Sequence, residues 1–331
     1  MTSDYRHFGV VGGGAWGTAL AQLLAAEGAP VRLWAHEADV VAAINASHEN
    51  PRFLPGLPLS SSLTATTDLA DLASSDALLI VVPVPFLRAV LAQLPASAAP
   101  LILCSKGMEA GSFAFPVDMV RTLDPARAVA VLSGPTFAHE VAAGQPTAIT
   151  LASADLALAH ALAAAIARPY FRPYVSDDVI GAEIGGAVKN ILAIACGIVD
   201  GAGLGLNARA ALIARGFAEM TRFGLARGAR AETLAGLAGL GDLVLTCTSA
   251  NSRNFALGQG LARGQSAAAL LAARDSVAEG AHSAPVVAAA AAAQGIDMPI
   301  VAAVARLLGG AASVDVIVRD LLTRPLRAEG H

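Results

Sequence analysis

The stretch VVGGGAWGTALA, close to the N-terminus, constrains the fold more than any other part of the chain. Gly12, Gly14 and Gly17 stand in G-x-G-x-x-G register, directly after the apolar run HFGVV (His7–Val11) and at the start of a helical stretch from Ala15 to Glu27. The first glycine of such a set permits a tight turn, the second lets backbone approach a pyrophosphate, and the third packs helix against strand. The helix start adds unpaired N–H groups and the positive end of its dipole, a setting suited to phosphate. The strand before the turn and the helix after it disfavour the alternative, a glycine cluster with no ligand.

Downstream, short apolar runs alternate with helix-forming stretches. VRLWA (Val31–Ala35) reads as a second strand, followed by a helix through VVAAIN, while NPRFLPGLPLSSSL is a loop by its prolines and serines. LTAT is a short strand with Thr67 and Asp68 capping the next helix, and ALLIVV (Ala77–Val82) is a buried strand closed by Pro83 and Pro85. PLILCS, AVAVLS and TAITLA (Thr147–Ala152) continue the series. Continuous apolar strands separated by helices imply a mostly parallel sheet covered on both faces. Near Asp178 the strand signals stop, and alanine, leucine and glycine helices follow, with turns at GLGD, at LARGQ and near Pro299. The expected fold is α/β. A Rossmann-like, dinucleotide-binding parallel-sheet domain (residues 1–180) precedes an all-helical substrate and catalytic domain (181–331). A length of 331 residues is in keeping with two cores.

The helical half holds an anomaly. In EIGGAVKNILAIACGIVDG, Lys189 and Asn190 interrupt a run of small and apolar residues. Gly185, Ala193 and Cys196 share the lysine's helix face, so nothing bulky covers its stem. Two readings stay open: the ammonium faces a cavity that something charged enters, or it snorkels out to solvent.

Further polar clusters follow the strands and turns. Lys106 comes after PLILCS, at the carboxyl edge where parallel sheets collect ligands, and Gly134 and Thr136 follow the next strand in SGPTFAHEV. Asp242, in GLGDLVLTC, reads either as a functional carboxylate or as a plain helix cap. Ser252, Arg253 and Asn254 open a helix, joining terminal N–H groups to a guanidinium fork that suits a phosphate dianion. Hydride transfer to a ketone needs a proton for the developing alkoxide. A lysine tuned towards neutral pH by an apolar setting supplies one, and a carboxylate orients it. Lys106 and Arg253 together indicate an anionic substrate. An acidic residue closing the second strand would favour NAD; His36 stands there instead, with Glu37 one position late. His36 suits a 2′-phosphate, so NADPH is expected to be preferred with NADH tolerated, although an ordinary loop histidine fits the position as well.

Composition excludes several classes. The net charge is -4 and no lysine- or arginine-rich block occurs, which disfavours a nucleic-acid partner. Cys104, Cys196 and Cys247 are widely spaced, odd in number and lack metal-ligand spacing, so neither a disulfide framework nor a metal site is expected. MTSDYRHFGV has no signal-peptide core, and alanine-dominated runs such as APVVAAAAAAQG are too short for a bilayer. A cytoplasmic protein without stable membrane insertion is expected.

Four motifs, GGGAWGTALA, SGPTFAHEVAAG, GGAVKNILAIACGIVDG and GLGDLVLTCTSANSRN, give the chain a resemblance to the bacterial NAD(P)-dependent glycerol-3-phosphate dehydrogenases over nearly its whole length. The resemblance implies an oxidoreductase that reduces dihydroxyacetone phosphate to sn-glycerol 3-phosphate for glycerophospholipid synthesis, usually as a homodimer. By motif, Lys189 becomes the general acid/base, assisted by Asp242. Lys106, Gly134, Thr136, Asn190, Asp242, Thr246, Ser252, Arg253 and Asn254 line the substrate site. Gly12, Gly14, Ala15, Trp16, Gly17, His36, Ala138, Val277 and Glu279 contact the dinucleotide, with Lys106 and Arg253 close to it. Two departures stand out: Ala15 replaces a common serine, and Phe255-Ala256 stand where further arginine is frequent. β-Hydroxyacid and 6-phosphogluconate dehydrogenases also pair a Rossmann-like domain with a catalytic lysine, but resemble a pattern with asparagine four residues after it, where this chain has Ala193. A silent NADP-binding sensor would need none of Lys189, Asp242 and Arg253.

Overall fold

The computed structural model describes residues 5–273 and 278–322. The chain forms two compact units, Met1–Lys106 with Ala114–Ala182, and Gly107–Phe113 with Glu183–His331. The short segment directly after Lys106 thus belongs with the helical unit, a grouping invisible in the linear order of the sequence.

The first unit is one eight-stranded sheet in the order β3-β2-β1-β4-β5-β6-β7-β8. Its strands are β1 (Phe8–Val11), β2 (Val31–Trp34), β3 (Leu63–Thr66), β4 (Ala77–Ile80), β5 (Leu101–Leu103), β6 (Val129–Ser133), β7 (Thr147–Ala152) and β8 (Phe171–Ser176). Neighbours are parallel except β6 and β7. The first six strands reproduce the Rossmann order 3-2-1-4-5-6, in which direction reverses between β1 and β4 and ligands collect beyond the carboxyl ends there. The helices are α1 (Ala15–Ala25), α2 (Ala38–Ser47), α3 (Val84–Leu91), α4 (Pro116–Leu123), α5 (Ala138–Ala142) and α6 (Leu156–Ile166). The expected cap at Thr67-Asp68 is made by Asp68, whose carboxylate accepts the Ala70 N–H at 2.9 Å, but the helix it opens is a single 3₁₀ turn, Leu69–Leu72. Strand β8 is absent from the sequence reading, because Pro173 in FRPYVS argues against a strand. It is tolerated because β8 lies at the sheet edge, where one row of N–H groups has no strand to meet.

The second unit is helical: α7 (Val179–Gly201, which starts in the first unit), α8 (Gly205–Ala226), α9 (Ala231–Leu234), α10 (Asp242–Thr248), α11 (Arg253–Ala262), α12 (Ala267–Ala272), α13 (Glu279–Ala293), α14 (Pro299–Leu308) and α15 (Val314–Leu322). GLGD is not a simple turn. Leu237–Gly241 form a π-helical turn that runs straight into α10. Helix α7 has the length and hydropathy of a membrane span, contrary to the expectation that no apolar run is long enough. Its most apolar stretch is 89% buried inside the fold, however, as in the core helix of a globular unit.

Glu219 of α8 caps α14. Its carboxylate accepts the Ile300 N–H at 2.8 Å and the Val301 N–H at 3.2 Å, meeting two of the donors that a helix start leaves unpaired. Burial pushes its carboxyl up to about 7, against the pull of these two N–H donors and of Arg222, with Asp297 adding to the rise. Since this value exceeds the ordinary 4.5, the folded chain holds a proton that the unfolded chain has lost between these limits. The group's stabilisation is therefore complete below pH 4.5 and lost by about pH 7. Glu219→Gln is expected to remove this dependence, so that the stability difference between variant and parent shifts by about 3 kcal/mol between pH 4.5 and 8. Urea unfolding at the two pH values checks it, and parallel curves would refute it.

Candidate active site

In the first unit, the glycine loop closes β1 onto α1. Gly12 takes φ +126°, in the region that favours glycine, and its N–H donates to the Trp34 carbonyl at 2.9 Å. A Cβ at Gly17 would lie 1.8 Å from the Gly12 carbonyl oxygen, whereas one at Gly14 would meet nothing within 4 Å. The turn is tight inside and open outside, as a phosphate cradle requires. Ala15 and Trp16 are the first residues of α1, and Trp16 is half-buried against the core. His36 lies exposed just beyond β2, its ring 6.5 Å from that of Trp34. Lys106 and Thr136 converge on the Gly134 carbonyl, with Nζ at 3.5 Å and Oγ1 at 3.4 Å, beyond the ends of β5 and β6. Ala138 opens α5. The glycine loop, at the carboxyl end of β1, therefore lies at the switch point of the sheet, where ligands of such folds collect.

In the second unit, glycines let backbones approach α7. A Cβ at Gly185 would lie 2.0 Å from the Ala238 carbonyl oxygen, so the π-helical turn rests directly on α7, one helical turn before Lys189. Asp242, which follows this turn, thereby reaches the lysine. Nζ of Lys189 donates to Asp242 Oδ1 at 2.6 Å and to Thr246 Oγ1 at 3.1 Å. The Thr246 hydroxyl in turn donates to the Asp242 carbonyl at 2.6 Å, one helical turn back. Lys189 is 7% exposed and Asp242 is 0% exposed, so this is a buried ion pair. Nearby, Cys247 lies against Cys196. Burial raises the Cys247 thiol well above its ordinary range, helped by Cys196, which keeps it protonated and apolar.

Close packing also places α11. A Cβ at Gly197 would come within 2.0 Å of the Phe255 carbonyl oxygen, and one at Gly258 within 2.1 Å of the Ile194 carbonyl oxygen. Ser252 caps α11, its hydroxyl accepting the Phe255 N–H at 3.2 Å, and Arg253 is exposed at the first helical position. Asn190, next to the lysine, donates to Glu279 Oε2 at 3.0 Å, while Asn254 Oδ1 accepts the Gly280 N–H at 3.0 Å. Both contacts tie the start of α13 to the lysine region. Val277 lies outside the described residues.

The second unit therefore brings together Lys189, Asn190, Asp242, Thr246, Asn254 and Glu279. The first gathers Gly12, Gly14, Ala15, Trp16 and Gly17 at one strand end, and Lys106, Gly134 and Thr136 at another. Of the two readings of the lysine from sequence, snorkelling is the one that fails: the side chain is buried, and the carboxylate expected to orient it is Asp242, 53 residues away. The sequence reading passed over Asn50, which is 0% exposed and holds the glycine loop from within the proline-rich excursion. A lone asparagine among loop breakers carries no periodic signal, and its 0% exposure emerges only on folding.

A Rossmann strand order with a glycine turn at its switch point, joined to helices that bury a lysine against a carboxylate, defines a dinucleotide-dependent dehydrogenase. The comparisons with known proteins sharpen the class. Residues 7–159 match the family described as NAD-dependent glycerol-3-phosphate dehydrogenase N-terminus, and residues 178–319 match its C-terminus. The chain is 78% identical, over all of both chains, to glycerol-3-phosphate dehydrogenase [NAD(P)+] 1 of Sphingopyxis alaskensis. It is 59% identical to glycerol-3-phosphate dehydrogenase [NAD(P)+] of Erythrobacter litoralis over 97% of each chain. The crystal structure of glycerol-3-phosphate dehydrogenase from Coxiella burnetii superposes with a TM-score of 0.92 at 41% identity, covering 97% of this chain and 99% of that one. The chain belongs to the NAD(P)-dependent glycerol-3-phosphate dehydrogenase family. It is an oxidoreductase that uses NAD or NADP and acts on a small-molecule substrate.

Proposed function

We propose that the chain works in the reductive direction, converting dihydroxyacetone phosphate into sn-glycerol 3-phosphate for glycerophospholipid synthesis, with Lys189 as the proton donor. The reduced nicotinamide, when bound, supplies the hydride that the carbonyl carbon accepts. As negative charge develops on the carbonyl oxygen, Lys189 Nζ gives it a proton. Asp242 balances the ammonium charge and Thr246 fixes its direction. The observation that carries this reading is the 2.6 Å contact of Lys189 Nζ with Asp242 Oδ1 in a buried setting.

In this reading residues 1–180 bind the dinucleotide and 181–331 supply the substrate and catalytic groups. Lys106 and Arg253 meet the substrate's negative charge, and Gly134, Thr136, Asn190, Ser252 and Asn254 line its site. Gly12, Gly14, Ala15, Trp16, Gly17, Ala138 and Glu279 hold the dinucleotide, with Lys106 and Arg253 close by. His36, exposed beyond β2, meets the 2′-phosphate and favours NADPH. The protein acts in the cytoplasm as a homodimer, in keeping with the family.

The test is nicotinamide absorbance with dihydroxyacetone phosphate, run separately with NADPH and NADH. Oxidation of both is expected, with the higher kcat/KM for NADPH. A higher value for NADH would remove His36 from its role. No oxidation, in a protein that binds the dinucleotide, would overturn the substrate.

A further inference from the structure

The excursion between α2 and β3 carries Asn50, which is 0% exposed. Its side-chain nitrogen and oxygen are both hydrogen-bonded. Nδ2 donates to the Gly13 carbonyl at 2.9 Å and to Thr18 Oγ1 at 2.8 Å, and Oδ1 accepts the Phe53 N–H at 3.1 Å. The Thr18 hydroxyl, also 0% exposed, donates to the same Gly13 carbonyl at 3.2 Å. Two donors thus hold one carbonyl in the middle of the glycine loop.

In a trans peptide the C=O and the following N–H point in opposite directions. Fixing the Gly13 oxygen inward therefore turns the Gly14 N–H away from Asn50 and Thr18, at a residue where an added Cβ would meet nothing within 4 Å. Glycine at this position leaves the peptide plane free to rotate unless something holds it. The excursion is itself anchored, since the Ser60 N–H donates to Gln22 Oε1 of α1 at 2.7 Å and the Leu59 N–H to the His48 carbonyl at 2.8 Å.

We infer that Asn50, acting with Thr18, is a positioning residue that holds the Gly13–Gly14 peptide so that its N–H faces the dinucleotide pyrophosphate. The inference rests on the proposed reading of the glycine loop as the dinucleotide site. Asn50 touches no ligand in this scheme. It removes the need to reorient a peptide on binding, and so acts on dinucleotide affinity rather than on the chemical step.

The test compares Asn50→Asp, Thr18→Val and Thr18→Ser by titration of NADPH alone, followed by steady-state kinetics. Asn50→Asp keeps the shape but sets an acceptor against the Gly13 carbonyl, and Thr18→Val removes the hydroxyl. Each is expected to raise the Kd for NADPH about tenfold, with kcat at saturating NADPH and KM for dihydroxyacetone phosphate within about threefold of the parent. Thr18→Ser restores the donor and is expected to stay within about twofold of the parent Kd. If Asn50→Asp does not fold, the Val and Ser pair at Thr18 decides alone. An unchanged Kd in the Val variant, or an equal loss in the Ser variant, overturns the inference. Gly14→Val separates the two readings, because a Cβ there meets nothing within 4 Å and only a ligand on the loop would feel it. If it leaves NADPH binding intact, the loop is not the dinucleotide site; if it abolishes binding while Asn50→Asp and Thr18→Val do not weaken it, only the positioning role falls.

Discussion

Lys189→Arg is expected to lower kcat by about 10²–10⁴-fold while leaving the Kd for NADPH within about threefold of the parent. Arginine keeps a positive charge beside Asp242, so the buried carboxylate is not left alone. Its guanidinium retains its proton throughout the working pH range and so makes a poor acid. Lys189→Ala removes the proton donor as well and is expected to lose at least as much turnover, with a stability cost from the stranded carboxylate. The pair of variants therefore separates proton donation from charge pairing. Single-turnover reduction of dihydroxyacetone phosphate, read against NADPH binding in the absence of ketone, is the measurement. A loss of dinucleotide affinity as large as the loss of rate, in both variants, would end the assignment of Lys189 as the acid.

Asp242→Ala is expected to destabilise the fold by about 3–5 kcal/mol, because it leaves an ammonium buried without its counter-charge. The Thr246 hydroxyl, at 3.1 Å, is neutral and does not replace the lost charge. The cost belongs to the stranded charge rather than to the pair, which gives a sharper consequence. Replacing both partners by uncharged groups, as in Lys189→Met with Asp242→Ala, is expected to recover most of the loss, since neither desolvated charge then remains. Residues in direct contact are where additivity fails, and a double variant that recovers most of the loss implies a coupling of about 3 kcal/mol or more in the double-mutant cycle. Chemical denaturation of the parent, both single variants and the double variant checks this. Losses that simply add would mean that the pair contributes nothing as a pair. Turnover should be lost in the double variant despite its recovered stability, which distinguishes the catalytic from the structural role of the lysine.

Much of the architecture was legible because it is local. A buried strand, three glycines at fixed spacing and a helix start lie within residues 7–17, and their meaning depends on nothing further along the chain. Apolar runs separated by helical stretches likewise announced a parallel sheet, since both faces of such a sheet are covered. Lys189 stood out because a charged side chain among glycine and alanine either snorkels to solvent or meets another charged group. Strand β8 escaped notice because Pro173 inside a strand is tolerated when that strand lies at an edge, and being an edge is a property of the assembled sheet.

The sequence by itself determined the sheet class, the glycine turn and the oddity of one lysine, all from periodicity and spacing along the chain. Only the tertiary structure supplied the packing that carries Asp242, named from sequence, to within 2.6 Å of that lysine. Gly185 shows in sequence merely as a missing side chain. In the fold it is the place where the Ala238 carbonyl comes within 2.0 Å of a would-be Cβ, which lets Asp242 reach Lys189. Asn50 is likewise one polar residue among loop breakers until folding sets its amide on the Gly13 carbonyl. Glu219 looks like an ordinary helix glutamate until α14 begins at its carboxylate. In each case the deciding quantity is the distance between groups far apart in sequence, fixed by how closely backbones pack, and no local pattern encodes it.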